Sequence, residues 1–175
     1  MDLMKLLAAA GGGDSVSKMA AQLGVNTSDA GKLIEALGPA LQTGLQKQIT
    51  SPGGLQNLQK ALKSGNHDRY LKNPELLAQP ETVQDGNAIL GHLLGSKEVS
   101  RAVAADASAK TGIDTSILKK ALPLLASLAM GAMRKKTQAA ENSDNDGGLG
   151  AIAAMLGGGK SGGLGGLMGL AKKFF

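Results

Sequence analysis

Residues 121–133 read ALPLLASLAMGAM and form the longest apolar run in the chain. The run is shorter than the roughly 20 residues that a transmembrane helix needs. With Ile117 and Leu118 just before it, apolar residues would cover every side of a helix. A helix that is apolar all round is normally buried, so the pattern predicts a central core helix capped by Asp114 or Thr115. Pro123 should bend it, because proline removes one backbone donor.

The sequence upstream of this run is divided by glycine, proline and capping residues into shorter amphipathic helices. Ser96 is predicted to cap a helix over about 97–111 that ends at Gly112, and Pro80 to begin one that ends at Gly95. Further predicted features are an N-cap at Asp14, a helix end at Gly24, a cap at Thr27 or Ser28, a break at Gly38-Pro39, a turn at 51–54, a helix end at Gly65 and a proline-initiated helix after Asn73.

The composition favours helices over strands. Only Tyr70, Phe174 and Phe175 are aromatic, so Leu, Ala, Ile, Val and Met must build the core. Strands prefer β-branched and aromatic residues. We therefore expect an all-α fold, a compact multi-helix bundle.

Three regions are predicted from these patterns. Residues 1–13 are an N-terminal arm, 14–137 a helical domain, and 138–175 an acidic linker with a flexible tail. Eleven of the 26 glycines lie in 147–175, and glycine at that density makes ordering the backbone entropically expensive.

Two segments of the domain resemble each other at an offset of 88 residues, which divides it into similar units of about 14–63 and 81–137. Each unit has a helix, a glycine, a β-branched residue and a polar cap, with Gly24 matching Gly112 and Thr27 matching Thr115. Either a duplication or shared capping chemistry explains the likeness. The glycine hinge is also typical of helix-turn-helix units of the homeodomain-like kind, although the surfaces that would read DNA carry few cations.

The chain has no cysteine and two histidines, and its carboxylates are scattered singly. No catalytic triad, paired-carboxylate site or metal-ligand spacing is present. We therefore expect a protein that is not an enzyme, with no cofactor and no metal. The N-terminus lacks the features of a secretory signal, which favours a cytoplasmic location.

The positive charge is concentrated in residues 101–140, which hold seven basic and two acidic residues and so equal the net charge of +5 of the whole chain. The stretch ends in Arg134, Lys135 and Lys136. Such a segment binds nucleic acid or an acidic surface, or it is the solvated end of a helix.

The tail contains two incomplete motifs. Residues 142–149 match the start of an EF-hand loop, but Ala153 stands where the twelfth-position glutamate is required. Residues 154–161 resemble a phosphate-binding loop that lacks its first glycine and a preceding strand. Residues 164–175 could place their apolar residues, including Phe175, on one helical face, which allows partner or peripheral membrane contact.

Residues 66–131 contain NHDRYL at 66–71, DGNAILGHLLGSK at 85–97, TGID at 111–114 and LPLL at 122–125. These strings resemble the YidB-like bacterial family of unknown function over roughly residues 20–136. The resemblance implies a small all-helical fold with homeodomain-like packing and often a glycine-rich tail. It implies no activity and no catalytic residues.

Within the second string, Gly86 falls inside a predicted helix, where glycine is about 1 kcal/mol less favourable than alanine. A packing or binding role is therefore expected for this segment. We predict that Gly91 and Gly95 let another helix lie close, with His92 at the crossing, more often as a core or capping histidine than as a base.

The sequence favours a helical interaction or scaffold protein, which binds a protein partner or itself and uses the tail as a tether or partner-binding segment. The alternative is a nucleic-acid-associated protein that uses residues 101–136. The candidate interaction residues are Gly86, Asn87, Gly91, His92, Arg134, Lys135, Lys136, Phe174 and Phe175.

Overall fold

The computed structural model describes residues 3–9 and 11–141, and within these ranges the fold is all-α. The α-helices are α1 (Leu3–Ala9), α2 (Gly13–Leu23), α3 (Thr27–Thr50), α4 (Gly54–Ser64), α5 (Arg69–Lys72), α6 (Pro80–Leu94), α7 (Lys97–Thr111) and α8 (Thr115–Glu141). A 3₁₀ helix over Pro74–Ala78 joins α5 to α6. The prediction of an all-helical fold is confirmed.

Helix α8 is the centre of the molecule. Every residue from 121 to 133 is buried, and α8 contacts all the other α-helices. The prediction of a buried central helix is therefore confirmed, with the N-terminus capped by Asp114, whose carboxylate accepts from the Ser116 amide at 2.7 Å. Pro123 lies inside the continuous helix.

By length and composition alone, the stretch Thr115–Gln138 of α8 could cross a membrane, but 78% of its most apolar window is buried inside the fold. The neighbouring helices already cover the apolar surface that a membrane would otherwise cover. Its apolarity is therefore accounted for by its central position in the core.

Several predicted helix ends are confirmed. Gly24, Gly95 and Gly112 follow helices α2, α6 and α7, and all three adopt the left-handed conformation that favours glycine. The Ser96 side chain accepts from the Val99 amide at 3.3 Å and caps α7. Gly65 ends α4, and residues 51–53 form the turn before it.

Two predicted caps are wrong. Helix α3 is capped by Asn26, whose Oδ1 accepts from the Asp29 amide at 2.7 Å, one residue before the predicted Thr27. Asp14 lies in the first turn of α2 and does not cap it. The N-cap position is Gly12, two residues before the predicted Asp14, and the Gly12 amide donates to the Leu7 carbonyl of α1 at 2.8 Å.

The predicted break at Gly38-Pro39 is also wrong, because α3 is continuous from Thr27 to Thr50. The buried Leu37 and Leu41 hold the helix against the core on both sides of the proline. Tertiary packing of this face outweighs the local loss of one hydrogen bond.

The range 1–13 contains helix α1, whose Leu6 and Leu7 are buried in the main core. Helix α1 is therefore packed into the core, within the range predicted as an N-terminal arm. The two predicted units share their glycine hinges, since Gly24 and Gly112 have φ angles of 70° and 72°. Their homeodomain-like character stays a prediction, and the tail from 142 onwards lies outside the described residues.

Candidate functional site

Residues 66–70 form a polar junction with Arg134 in the C-terminal part of α8. Asp68 is 3% exposed and pairs with Lys72 at 2.6 Å and with the Arg134 Nε at 3.0 Å. Burial alone would raise the pKa of Asp68, but the hydrogen bond and charge of Lys72, with the charge of Arg134, hold that pKa below its usual value. The carboxylate is therefore ionised and structural.

Arg134 also forms hydrogen bonds with α4 at this junction. Its Nη1 donates to the Leu62 carbonyl and, at 2.7 Å, to the Lys63 carbonyl at the end of α4. Both carbonyls belong to the last turn of α4, so these hydrogen bonds link the end of α4 to α8. The predicted interaction residue Arg134 thus lies in a structural junction, while Lys135 next to it is exposed.

Tyr70 connects residues 66–70 to α6 through a hydrogen bond with Asp85. Its hydroxyl donates to the Asp85 Oδ2 at 2.5 Å, and the Arg69 Nη2 donates to that same oxygen at 2.8 Å. Burial and the Asp85 hydrogen bond raise the pKa of Tyr70. Tyr70 therefore serves as a hydrogen-bond donor at neutral pH.

Gly86 provides a close crossing between α6 and α8. A Cβ at this position would clash with the backbone carbonyl of Pro123. Gly44 and Gly131 play the same part elsewhere, since a Cβ would come within 2.5 Å of the carbonyls of Leu93 and His67 respectively. The expected packing role is thus found at Gly86 of the 85–97 string.

Gly91 differs from Gly86. A Cβ at Gly91 would meet nothing within 4 Å, and the residue is exposed. The predicted helix crossing at Gly91 is therefore wrong. Gly95 has a φ of 82°, so its glycine is explained by the helix end. The packing of the described residues leaves Gly91 unexplained.

Gly91 instead lines an open groove of about 550 Å³ between α6, α7 and the start of α8. We call this the basic groove. Three cations line it, and no acidic residue does. Its lining consists of Asn87, Leu90, Gly91, Gly95, Ser96, Lys97, Ser100, Arg101, Lys119 and Leu122. Two predicted site residues, Asn87 and Gly91, therefore lie together beside the cations.

His92 is exposed on the opposite side of α6 and lines a smaller cavity of about 210 Å³. Of the two predicted roles of His92, core or capping histidine, its exposure contradicts the core role. Gln48 donates its side-chain amide to the His92 carbonyl. The other histidine of the chain, His67, is 8% exposed and lines the same cavity.

The candidate residues are thus divided among several places. Gly86 is in the core, Asn87 and Gly91 in the basic groove, His92 at the small cavity, and Arg134 at the junction. Lys135 is exposed and Lys136 half-buried at the far end of α8 from the groove, and Phe174 and Phe175 lie outside the described residues.

Sequence reasoning missed Lys97, Arg101 and Lys119 as one set. Lys97 and Arg101 are four residues apart and share a face of α7, but only the packing of α6, α7 and α8 brings Lys119 beside them. The cluster of seven basic residues in 101–140 was the available signal. His67 was also missed, although it lies in the NHDRYL string.

In the described part of the chain, no three His, Cys, Asp or Glu side chains are grouped as metal ligands. The loop-like motifs at 142–149 and 154–161 lie outside that part.

No curated protein and no solved structure matches the chain. The model of a family described as "Bacterial protein of unknown function (DUF937)" matches residues 5–136. The match begins within α1 and ends within the last turns of α8, and it includes the polar junction, the basic groove and the small cavity. It agrees with the resemblance carried by the strings at 66–131. The chain belongs to this bacterial family of proteins of unknown function.

Proposed function

We propose that this chain is a non-enzymatic docking protein of the bacterial cytoplasm, which binds an acidic amphipathic segment of a protein partner in the basic groove. The proposal rests on Gly91, an exposed glycine inside α6 at which an added Cβ would meet nothing within 4 Å. Glycine inside a helix is less favourable than alanine by about 1 kcal/mol, and no neighbour within the described structure requires it. A partner lying on α6 at this point would require it.

The groove has the chemistry of a protein-docking surface. Leu90 and Leu122 are 5% and 2% exposed and provide an apolar floor. Lys97, Arg101 and Lys119 surround it without a compensating carboxylate in the lining. Complementary charge of this kind guides association and fixes the orientation of a partner. A helix with apolar residues at a three-to-four spacing and acidic flanks fits this surface.

A nucleic acid is the second candidate occupant, favoured by the same three cations. Single-strand binding is disfavoured because the only aromatic residue in the described part, Tyr70, is buried and cannot stack on bases. Arg134 is also engaged with Asp68 and α4. The predicted role of residues 101–136 in nucleic-acid binding therefore rests on Arg101 and on the lysines of α8.

Site-specific photocrosslinking tests the docking proposal. A photoreactive benzoylphenylalanine at Asn87, in the groove, should trap a discrete protein partner in living cells. The same group at the exposed Gln56 of α4 is the matched control and should not trap that partner. The double variant Arg101→Glu, Lys119→Glu should abolish the Asn87 product, whereas Lys47→Glu, Lys60→Glu should retain it.

Two results would reject the proposal. One is an Asn87 product that survives the charge reversal in the groove. The other is an Asn87 product that is nucleic acid, together with duplex binding by the purified protein that weakens steeply with salt and with the Arg101→Glu, Lys119→Glu change. The second result would favour the nucleic-acid candidate.

The glycine-rich tail is proposed as a tether that holds the docking domain near a second contact. Crosslinking from Asn87 in a chain that ends at Glu141 tests this. The same partner should be trapped with lower yield. An unchanged yield would show that the tail does not contribute to binding of this partner.

A further inference from the structure

We propose that the acidic group which the basic groove receives from its protein partner is a phosphoryl group on a serine or threonine side chain. This inference rests on the proposed function, because the groove is the same, and it names the chemical group that the partner must carry. The binding residues are Lys97 and Arg101 of α7 and Lys119 of α8, which all line the groove. We call these three residues the cation set.

Arg101 differs from the other arginines of the described residues. Arg69 pairs with Asp85 at 2.8 Å, and Arg134 pairs with Asp68 at 3.0 Å. Arg101 is exposed and forms no ion pair with any described residue. Its guanidinium group is therefore available to a ligand that lies in the groove.

The two lysines of the cation set add to the charge at Arg101. Lys97 is four residues before Arg101, so both side chains lie on one face of α7, and Lys119 lines the same groove from α8. The carboxylate nearest to Lys97 along the chain, that of Glu98, is exposed and lies outside the lining. Three positive charges therefore share one groove without an acidic group in its lining, and an anionic ligand would relieve their mutual repulsion.

A phosphoryl group matches the cation set better than a carboxylate does. It carries a charge of about −1.5 to −2 near neutral pH and three strong acceptor oxygens, whereas a carboxylate carries one charge and two oxygens. The planar guanidinium of Arg101 binds a phosphoryl group through two parallel hydrogen bonds. The ammonium groups of the two lysines can donate to the remaining oxygen, so one phosphorylated side chain engages all three cations.

The groove has room for such a side chain. Its volume of about 550 Å³ lies within the range of roughly 300–1,000 Å³ that is usual for ligand sites. Gly91 and Gly95 line it without side chains, and Asn87 and Ser100 add neutral polar groups. The backbone of the partner can therefore approach α6 at Gly91 while its phosphorylated side chain reaches Arg101.

A phospholipid headgroup presents the same chemical group, but the groove favours a protein segment. Proteins that bind to a membrane surface bury exposed apolar side chains in it. The large apolar residues that line the groove, Leu90 and Leu122, are 5% and 2% exposed and lie at its floor. A protein segment can enter a recessed site of this kind, whereas a flat membrane cannot.

The first experiment uses N-acetyl-O-phosphoserine amide as the probe and N-acetylglutamate amide as the matched carboxylate, with the full-length protein at constant ionic strength. Binding is followed by NMR of the backbone amides of Gly91, Gly95 and Arg101. We expect saturable shifts with the phosphoserine probe and binding of the glutamate probe that is weaker by about tenfold. Arg101→Gln should weaken binding of the phosphoserine probe by about tenfold, whereas Lys47→Gln, at an exposed position of α3, should leave it unchanged.

The second experiment examines the partner itself. The protein that is trapped by photocrosslinking from Asn87 should carry a phosphoserine or phosphothreonine in the crosslinked segment, which mass spectrometry of the product detects. Vesicles that contain phosphatidic acid test the lipid headgroup, and we expect them not to bind the full-length protein at physiological salt.

Four results would overturn the inference. They are equal binding of the two probes, probe binding that is insensitive to Arg101→Gln, a trapped partner without a phosphoryl group, and vesicle binding that is lost in Arg101→Gln. A trapped partner without a phosphoryl group would leave the docking proposal standing. Probe binding at Arg101 without any trapped protein would instead reject the docking proposal and retain the phosphoryl site.

Discussion

At the scale of single residues, glycine has distinct roles along helix α6 and its neighbours. Gly86 lets α6 approach the Pro123 carbonyl of α8, and Gly95 adopts a left-handed conformation that ends α6. Gly91 does neither. The roles of Gly86 and Gly95 follow from packing and from backbone conformation. No contact among the described residues explains Gly91, which lines the basic groove.

The pair Gly86→Ala and Gly91→Ala separates these roles. Gly86→Ala should lower the free energy of unfolding by about 1–3 kcal/mol, because the new methyl group overpacks the α6–α8 crossing. Gly91→Ala should raise it by about 0.5–1 kcal/mol, because alanine restricts the unfolded chain and meets no neighbour. Urea denaturation of the two variants measures both changes. A loss of stability in Gly91→Ala would mean that packing requires this glycine.

His67 predicts a dependence of stability on pH. Burial, Arg69 and Arg134 lower its folded-state pKa, against opposite effects of Asp85 and Asp68. Between this lowered pKa and the unfolded value near 6.5, the unfolded state binds more protons, so stability rises with pH. The melting temperature should fall as the pH drops below about 6.5, and thermal denaturation across pH 5–8 measures it.

The matched controls are the two single histidine variants. His92→Gln leaves His67 in place and should retain the pH dependence, whereas His67→Gln should flatten it. Equal behaviour of both variants would show that His67 does not carry the effect.

At the scale of the elements, the order and type of the helices could be predicted from the sequence. The apolar run at 121–133 predicted the central helix, and the glycine ends at 24, 95 and 112 predicted three helix ends. The continuity of α3 through Pro39 could not be predicted, because it depends on packing by Leu37 and Leu41. Helix α1 was missed, since its burial depends on residues far along the chain.

The candidate site was less predictable than the helices. The basic groove is formed by side chains from three helices, and their convergence is a property of the packing. The strings of the family resemblance contained Asn87 and Gly91 of the groove and His67 of the cavity. They gave no signal that the two histidines share one cavity or that Arg134 links α4 to α8.

Arg134 connects the end of helix α4 to α8. Arg134→Met should lower the free energy of unfolding by about 2–4 kcal/mol, because it leaves the buried carboxylate of Asp68 with one ionic partner fewer and the α4 carbonyls without their donor. Chemical denaturation measures the loss. Lys60→Met, at an exposed position of α4, is the control and should change stability by less than about 0.5 kcal/mol. Equal effects would show that the junction is not structural.

At the scale of the whole molecule, one core includes residues from α1 to α8, with α8 at its centre. The basic groove and the small cavity lie on different sides of α6, so one helix contributes to both.

A truncation tests how far the folded unit extends. A chain that ends at Glu141 should keep the melting temperature of the full chain to within about 2 °C, because it retains every core residue of the described ranges, up to Met133. Removal of residues 1–9 should lower it by several degrees, since Leu6 and Leu7 are buried. Calorimetry of the two truncated chains gives the comparison, and a large loss on removing the tail would contradict it.

In the proposed function, Gly91 keeps the basic groove open for a protein partner. The most direct measurement is the yield of the photocrosslinked product from Asn87 in a Gly91→Met variant, compared with the unchanged chain and with Ala105→Met. We expect a folded Gly91→Met protein that melts no lower than the unchanged chain and loses at least nine tenths of the product, while Ala105→Met, at an exposed position of α7 outside the groove lining, retains it. An undiminished product in a folded Gly91→Met protein would show that no partner lies on the groove at Gly91.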